Sequence, residues 1–202
     1  MNKILLFGRS CKSYADLFQD RAPNVVICCD DCKVTMHKHG RYFRSVTTKQ
    51  KMRTIPIYRW LCPICRKTLS LLPDFLVPWA RFATYIRESA VMRKLRGKAY
   101  GSIAQSITAE NVRVSRCTVK RWWKRHLHKA SDLSLWLAGQ LLFSGYTDDL
   151  LRHYPNPVSS SPVETAKWLR TILPLFSRKP ASLRGYWSCL HSNSKIPRHL
   201  FL

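Results

Sequence analysis

Two Cys-x-x-Cys pairs constrain the fold of this chain more than any other feature of its sequence. The pairs are Cys29 with Cys32 and Cys62 with Cys65, and 29 residues separate them. The two thiolates of such a pair can converge on one metal ion, and two pairs together complete the tetrahedral shell of a structural zinc site. We therefore predict a single structural Zn²⁺ with four thiolate ligands. Because these ligands leave no position for water or substrate, a catalytic zinc is not expected.

Other interpretations of the cysteines remain open. An isolated pair would suit a redox motif or buried thiols, but two pairs flanking a predicted hairpin favour zinc. Cys28 competes with Cys29 as a ligand, and we prefer Cys29 because it repeats the spacing of the second pair. His37 and His39 share a strand face and are candidate ligands or phosphate contacts, although exposed strand histidines without either role are more common. The other cysteines are interpreted as small buried or incidental thiols: Cys11, Cys117 and Cys189.

The segments between and after the cysteine pairs have the patterns of β-strands. Residues 36–46 and 54–61 are rich in aromatic and β-branched side chains, and a charged loop at 47–53 joins them. A third short strand over 67–72 ends at Pro73. These elements predict a small antiparallel sheet that carries both cysteine pairs. A unit of this size has few core positions, so metal binding is expected to contribute much of its stability.

The rest of the chain has helical patterns. We predict helices over 79–95, from a Ser102 cap to Ile107, from a Ser115 cap to about Leu127, onward from Asp132, and over 164–176. The fold class is therefore α+β, a zinc ribbon followed by a mostly helical region. The predicted divisions are a lead-in (1–24), the Cys₄ zinc ribbon (25–73), a basic helix-turn-helix domain (74–130), C-terminal helices (131–176) and a basic, loosely ordered tail (177–202).

The charge of the chain points to a polyanionic partner. Lys and Arg number 35 against 11 Asp and Glu, which gives a formal charge of +24. Such an excess favours nucleic acid as the partner, and a hydrophobic content of 46% distinguishes the chain from a disordered basic tail. No apolar run is long enough to cross a bilayer, and the apolar patch near the N-terminus is shorter than a secretory signal. We expect a cytoplasmic protein with reduced cysteines and no membrane partner.

The densest positive charge lies in the predicted helix-turn-helix. From Arg93 to Lys129 there are eleven Lys and Arg and one acid, Glu110. On a helical wheel from Arg116 the basic side chains fall on one side and Val119, Trp122 and Trp123 on the other. An ordinary solvated helix face is the alternative, but such faces usually mix charge signs. The residues predicted to contact nucleic acid here are Arg113, Ser115, Arg116, Thr118, Lys120, Arg121, Lys124 and Arg125.

A second basic patch lies on the ribbon. Between residues 41 and 60 there are six Lys and Arg, no acid and several aromatic residues. We expect the hairpin to contact phosphates, with aromatic packing over the metal site as the companion interpretation. The predicted contacts are Arg41, Arg44, Lys49, Lys51 and Arg53.

Several of these motifs resemble those of bacterial mobile-element proteins. The Cys29 pair followed by 39–42 (His-Gly-Arg-Tyr), and the run 57–73 around the second pair, are similar to transposase-associated zinc ribbons. A Leu-Pro-x-Phe segment at 72–75 also occurs in an uncharacterised family of short ribbon plus helix-turn-helix proteins. The segment 114–122 resembles the recognition helix of transposase and resolvase DNA-binding modules. The resemblance covers about residues 26–127 and implies duplex-DNA binding near the bacterial nucleoid, in an accessory, targeting or regulatory role in transposition.

The acidic residues give no pattern for catalysis. A two-metal nuclease or transposase needs three converging carboxylates, and none of the acids here follows a convincing series of strands. We therefore expect a binding protein and not an enzyme. Two alternatives stay open: an RNA-binding zinc-ribbon protein of a ribonucleoprotein complex, and a non-catalytic transposase fragment that needs a catalytic partner. The apolar segment 133–151 is a candidate surface for a transposase or other protein subunit, or else packs against the helices before it.

Overall fold

A computed structural model shows a mixed α+β fold, with a four-stranded sheet and five helices in the residues that it describes. It describes residues 2–5, 10–49, 51–108, 114–143, 145, 154–155 and 160–172. The strands are β1 (Asn2–Leu5), β2 (His37–Thr47), β3 (Met52–Leu61) and β4 (Thr68–Pro73). The helices are α1 (Cys11–Phe18), α2 (Thr84–Leu95), α3 (Tyr100–Ile107), α4 (Arg116–Phe143) and α5 (Pro162–Ile172). The predicted α+β class is confirmed.

The sheet has the strand order β1-β4-β3-β2. The three strands predicted from the sequence pair in antiparallel fashion, but β1 adds a fourth strand that runs parallel to β4. The expectation of a wholly antiparallel sheet was therefore wrong. The lead-in residues supply both β1 and α1, and Ile4, Cys11 and Tyr14 are buried in the largest core. The pairing of β1 with a strand more than sixty residues away is non-local, so no local pattern signalled it.

The β2–β3 hairpin is longer and its loop shorter than the sequence suggested. Thr47 pairs with Met52, so both strands extend into the loop predicted over 47–53. The Thr48 hydroxyl closes this turn by donating to the Lys51 carbonyl oxygen at 2.6 Å. At the other end of the hairpin a β-bulge lies between Lys38 and Gly40, where the φ of +141° suits glycine. Strand β2 forms one edge of the sheet.

Two helix predictions differ from the structure. The helix expected from Trp79 begins at Thr84, because residues 74–83 form turns, of which 74–77 and 83 are buried. Ser102 lies inside α3, which begins at Tyr100, and does not cap it. The helix expected over 164–176 is observed over Pro162–Ile172, and residues 173–176 lie outside the described part of the chain. A capping box precedes it, in which Ser161 and Glu164 exchange hydrogen bonds.

Helix α4 is one continuous helix of 28 residues, whereas the sequence predicted a break before Asp132. No glycine or proline interrupts residues 127–132, and Ala130 and Leu133 continue the buried stripe across the expected break. Ser115 caps this helix as predicted, because its hydroxyl accepts a hydrogen bond from the Thr118 backbone N–H at 3.1 Å.

Three apolar clusters stabilise the fold. The largest lies between the sheet and helices α1–α4 and includes Ile57, Phe75, Ile86 and Trp122. A second joins the C-terminal half of α4 to α5. The third, which we call the knuckle core, surrounds the cysteine pairs; its buried members are Ile27, Cys29, Met36, Tyr58, Trp60, Cys62, Leu69 and Leu71.

None of the helices in the described parts of the chain combines the length and apolar character needed to cross a bilayer.

Candidate metal centre and basic surfaces

The structure brings together the four cysteines that the spacing predicted. The ligand atoms of Cys29, Cys32, Cys62 and Cys65 all lie within 4.8 Å of one another. The Sγ atoms of Cys29 and Cys65, one from each pair, are 3.7 Å apart. A tetrahedral Zn²⁺ with Zn–S bonds of about 2.3 Å requires S···S separations of about 3.8 Å. The cluster therefore has the size and the ligand set of a tetrahedral metal site.

The two cysteine loops share one backbone geometry. The N–H of Cys29 donates to the Val34 carbonyl oxygen at 2.8 Å, and the N–H of Cys62 donates to that of Lys67 at 3.0 Å. The fifth residue of each loop, Lys33 or Arg66, has a φ of +58°. Its N–H donates back to the carbonyl oxygen of the first cysteine in both loops. This repeated turn aims both thiols of each pair to the same side, which is how two short segments converge on one point.

The thiols of the cluster cannot all ionise side by side without a cation. Burial opposes ionisation of Cys62, but hydrogen bonds from the backbone N–H groups of Cys65 and Ile64 and from neighbouring thiols outweigh it and lower the pKa of Cys62 to about 7. A hydrogen bond with Cys65, together with burial, raises the pKa of Cys32 to about 12. The first cysteine to ionise thus suppresses ionisation of its neighbours, and a bound divalent cation would remove that conflict.

The competing ligand candidates lie outside the cluster. Within the described part of the chain, the group of metal-ligand side chains that converge contains the four cysteines alone. Cys28 is exposed and forms an isolated backbone bridge with Thr35. His37 and His39 are exposed on β2. The pairing of Cys29, and not Cys28, with Cys32 follows from the loop geometry, which repeats that of the second pair.

The knuckle core packs against the two cysteine loops from the sheet. Trp60 and Leu69 are 1% exposed and are cross-strand partners on β3 and β4. On the outside, the Lys67 ammonium contacts the Asp31 carboxylate at 2.6 Å and links the two loops. That hydrogen bond and charge lower the pKa of Asp31 and raise that of Lys67.

The first half of α4 has one buried and one exposed side. Val119, Trp122, Trp123 and His126 are buried, and both tryptophans are 8% exposed. Trp122 belongs to the largest cluster and packs edge-on against Phe82, with 5.1 Å between the ring centroids, whereas Trp123 lies beside His126. The exposed side carries five of the predicted nucleic-acid contacts, Arg116, Lys120, Arg121, Lys124 and Arg125.

The remaining predicted contacts of this region are at the N-terminus of α4. Ser115 is exposed and Thr118 half-buried, and their hydroxyl oxygens are 2.9 Å apart. The first turn of α4 carries no acid, so the helix itself supplies no carboxylate to its positive end. Arg113 lies outside the described residues.

The ribbon contacts that the sequence predicted divide into two groups. Lys49 and Lys51 are exposed at the tip of the hairpin, and Arg53 is half-buried beside it. Arg41 and Arg44 make contacts within the chain. Arg41 bonds the Gln19 carbonyl oxygen and pairs with Asp20 at 3.4 Å, while Arg44 donates to the carbonyl oxygens of Val77 and Ala80.

Three basic residues of α2 and α4 influence one another's charge, a feature that the sequence did not predict: Arg87, Arg125 and Lys129. Arg87 is 3% exposed, and this burial together with the nearby Arg125 lowers its pKa to about 10. Burial, Arg125 and Arg87 lower the pKa of Lys129 to about 8. The like charges repel one another, which is part of the reason that the two pKa values are lowered.

Comparison with known proteins gives one match. The sequence model of a family described as a domain of unknown function, DUF6431, matches residues 29–122. The matched segment runs from the first cysteine of the cluster to Trp122 in the core, so it contains the metal centre, β2–β4 and the start of α4. Neither the curated proteins nor the solved structures include a match.

Proposed function

We propose that this chain is a zinc-dependent protein that binds duplex DNA and serves a mobile genetic element in an accessory, targeting or regulatory role. The observation that carries the proposal is the exposed row of five basic side chains on α4, backed by a helix side buried against α2 and α3. A helix so supported can present its basic side to a groove without losing its own packing. The resemblance to transposase-associated ribbons supplies the link to mobile elements.

In this proposal α3 and α4 act as a helix-turn-helix and α4 is the recognition helix. Ser115, Arg116, Thr118 and Lys120 occupy its first turns, where base edges and flanking phosphates are met in such modules. The free positive end of the helix adds to their attraction for phosphate. Lys124 and Arg125, together with the neighbouring Arg87 and Lys129, extend the positive surface along the backbone of the duplex.

The Cys₄ cluster has a supporting role in this proposal. Zn²⁺ is the metal that four thiolates in tetrahedral arrangement favour, and it fixes the cysteine loops at one end of the sheet. The hairpin tip with Lys49 and Lys51 then provides a second phosphate contact. All four ligands are protein thiolates, so the metal supplies structure and no catalytic step, in keeping with a binding protein.

The proposal is tested by titrating the full chain with duplex DNA over a series of salt concentrations. The logarithm of the binding constant should fall linearly with the logarithm of salt concentration, and the slope should shrink by about 1 for each phosphate contact removed in Lys120→Ala and Arg121→Ala. Lys167→Ala is the matched control, because this exposed lysine lies on α5, away from both basic patches. Its slope should equal that of the unmodified chain.

Two outcomes would count against the proposal. Purified protein with less than one zinc equivalent would contradict the metal assignment. Binding that does not depend on salt would contradict contact with phosphates, and clear preference for structured RNA over duplex DNA at equal salt would replace DNA with RNA as the partner.

A further inference from the structure

An aromatic groove runs along the free edge of the sheet, between β2 and the turn that precedes α2. We call it the edge groove; its volume is about 590 Å³, within the roughly 300–1,000 Å³ of pockets that hold a small ligand. Four large apolar side chains that line it are exposed: Trp79 (93%), Met52 (59%), Phe43 (58%) and Tyr42 (37%). A concavity lined by several exposed apolar side chains is typical of a binding surface.

The exposed Trp79 has a strained backbone conformation. Its φ is +63°, a left-handed conformation that is unusual for a bulky side chain. Strained backbone of this kind persists only where surrounding contacts impose it, and it occurs preferentially at ligand sites. Here the indole gains no burial in exchange, since it projects almost entirely into solvent.

The turn that carries Trp79 is tied to β2 on both sides of the indole. Arg44 donates to the carbonyl oxygens of Val77 and Ala80. Further along, the Thr47 N–H donates to the Arg81 carbonyl oxygen at 2.8 Å and the Ala83 N–H donates to that of Thr47 at 3.0 Å. The groove is therefore built before any ligand arrives, and binding need not order the turn.

The charge of the groove is positive. Arg44 and Arg81 line it, and the described lining residues include no acid. Arg59, on the neighbouring strand, lies over the Tyr42 ring with its guanidinium carbon 5.9 Å from the centroid. The buried Nε of Arg59 has no hydrogen-bond partner in the described part of the chain. The groove thus combines π-faces with the exposed guanidinium of Arg81, which can donate hydrogen bonds to a phosphate.

We propose that the edge groove binds an unpaired nucleotide of single-stranded DNA, with its base stacked on Trp79 or Tyr42 and its phosphate near Arg81. In a duplex the π-faces of the bases are hidden in the stack, so an aromatic-lined cavity selects a base that has left it. This inference rests on the proposed DNA-binding function and adds a second kind of contact. The protein would then engage DNA where a duplex and a single strand adjoin.

The experiment compares three labelled probes at one salt concentration: an oligothymidine, a blunt duplex, and the same duplex with a thymidine overhang. Base–aromatic stacking predicts that Trp79→Ala weakens binding of the oligothymidine by about 5- to 150-fold. It should also abolish the advantage of the overhang while affinity for the blunt duplex stays within experimental error. Trp79→Phe keeps a π-face and should retain much of the affinity. Phe143→Ala, which removes an 89% exposed ring at the far end of α4, is the control.

The outcomes separate this inference from the proposed function. Unmodified protein that binds the blunt duplex but gains nothing from the overhang contradicts the edge groove alone, as does an oligothymidine affinity equal in Trp79→Ala and the unmodified chain. Unmodified protein that binds none of the probes contradicts DNA binding as a whole. An oligouridine bound more tightly than the oligothymidine, with the same dependence on Trp79, would overturn the assignment of DNA as the ligand.

Discussion

The two ends of the sheet are stabilised in different ways. Towards the helices, β2 and β3 contribute Val46, Ile55 and Ile57 to a large apolar core shared with α1–α4. Towards the cysteine loops, the same strands contribute Tyr58 and Trp60 to the much smaller knuckle core, in which cysteines are themselves members. One end has a large apolar core that favours folding by the hydrophobic effect, whereas the other has few apolar residues and, in the proposed function, depends on a metal to hold its loops.

The two ends of the sheet therefore have different roles in the proposed function. The helical end of the sheet positions α4. If that end folds independently of the cysteine loops, the proposed DNA contacts of α4 should survive loss of the metal. The cysteine end positions the loops and the bulged start of β2. Mutations that affect one end and leave the other intact therefore measure how far the sheet couples them.

Loss of a metal ligand should have the largest effect. Cys62→Ser should reduce bound zinc to well below one equivalent and unfold the cysteine loops, since metal binding supplies about 10–16 kcal/mol in zinc-finger peptides. Cys28→Ser is the matched control, because Cys28 is exposed and outside the cluster. Zinc content by atomic absorption, with thermal unfolding of each variant, checks both. Loss of zinc in Cys28→Ser would mean that Cys28, and not Cys29, is the ligand.

A cavity in the helical core should be the next largest effect. Trp122→Ala removes a buried indole that packs against Phe82, and such truncations cost about 3–5 kcal/mol. Urea unfolding should show this loss while the folded variant keeps its full complement of zinc. Loss of zinc together with helical stability would show that the two ends of the sheet unfold as one cooperative unit, which contradicts their separate stabilisation.

A buried histidine should make the helical end sensitive to acid. His126 is 1% exposed, and burial lowers its pKa to about 4 from an unfolded value of 6.5. Between these values the unfolded chain binds a proton that the folded chain does not, so stability decreases as pH falls through this window, by up to about 3 kcal/mol. Above about pH 6.5 neither state is protonated and the effect is absent.

Protonation of the cysteine ligands would also lower the free energy of unfolding as pH falls. The contribution of His126 is therefore measured as a difference between two proteins. The free energy of unfolding of His126→Leu minus that of the unmodified chain should rise as pH falls from about 6.5 to 4. His128→Leu alters an exposed histidine two residues away and should give a flat difference. Parallel curves for His126→Leu and the unmodified chain would show that this group does not contribute.

The sequence predicted best what depends on local pattern. The spacing of the cysteines predicted their cluster, alternation located β2, β3 and β4 to within a few residues, and Ser115 was identified as a cap. What it missed depends on contacts between distant segments. The pairing of β1 with β4, the burial of Arg87 and the outward turn of Trp79 are all imposed by neighbours that lie far away in the chain.

The break expected in α4 illustrates why local signals mislead. Asp132 is a residue type that often begins a helix, but here it is an exposed side chain on a helix whose buried stripe continues to Leu141. The packing of α5 against that stripe decides the outcome, and α5 lies beyond any window that includes Asp132. Tertiary burial outweighed a capping preference of about 1 kcal/mol.

The smallest predicted effect concerns the cap of α4, which lies at the boundary between stability and DNA contact. Ser115→Ala removes the acceptor for the Thr118 N–H and should cost about 1 kcal/mol of the free energy of unfolding, with zinc content unchanged. Ser115→Asp restores a capping acceptor, so it should recover the stability but weaken duplex binding, because a new negative charge faces phosphate. Urea unfolding and duplex titration of both variants separate these contributions. Equal affinity in Ser115→Asp and the unmodified chain would place the DNA away from the N-terminus of α4.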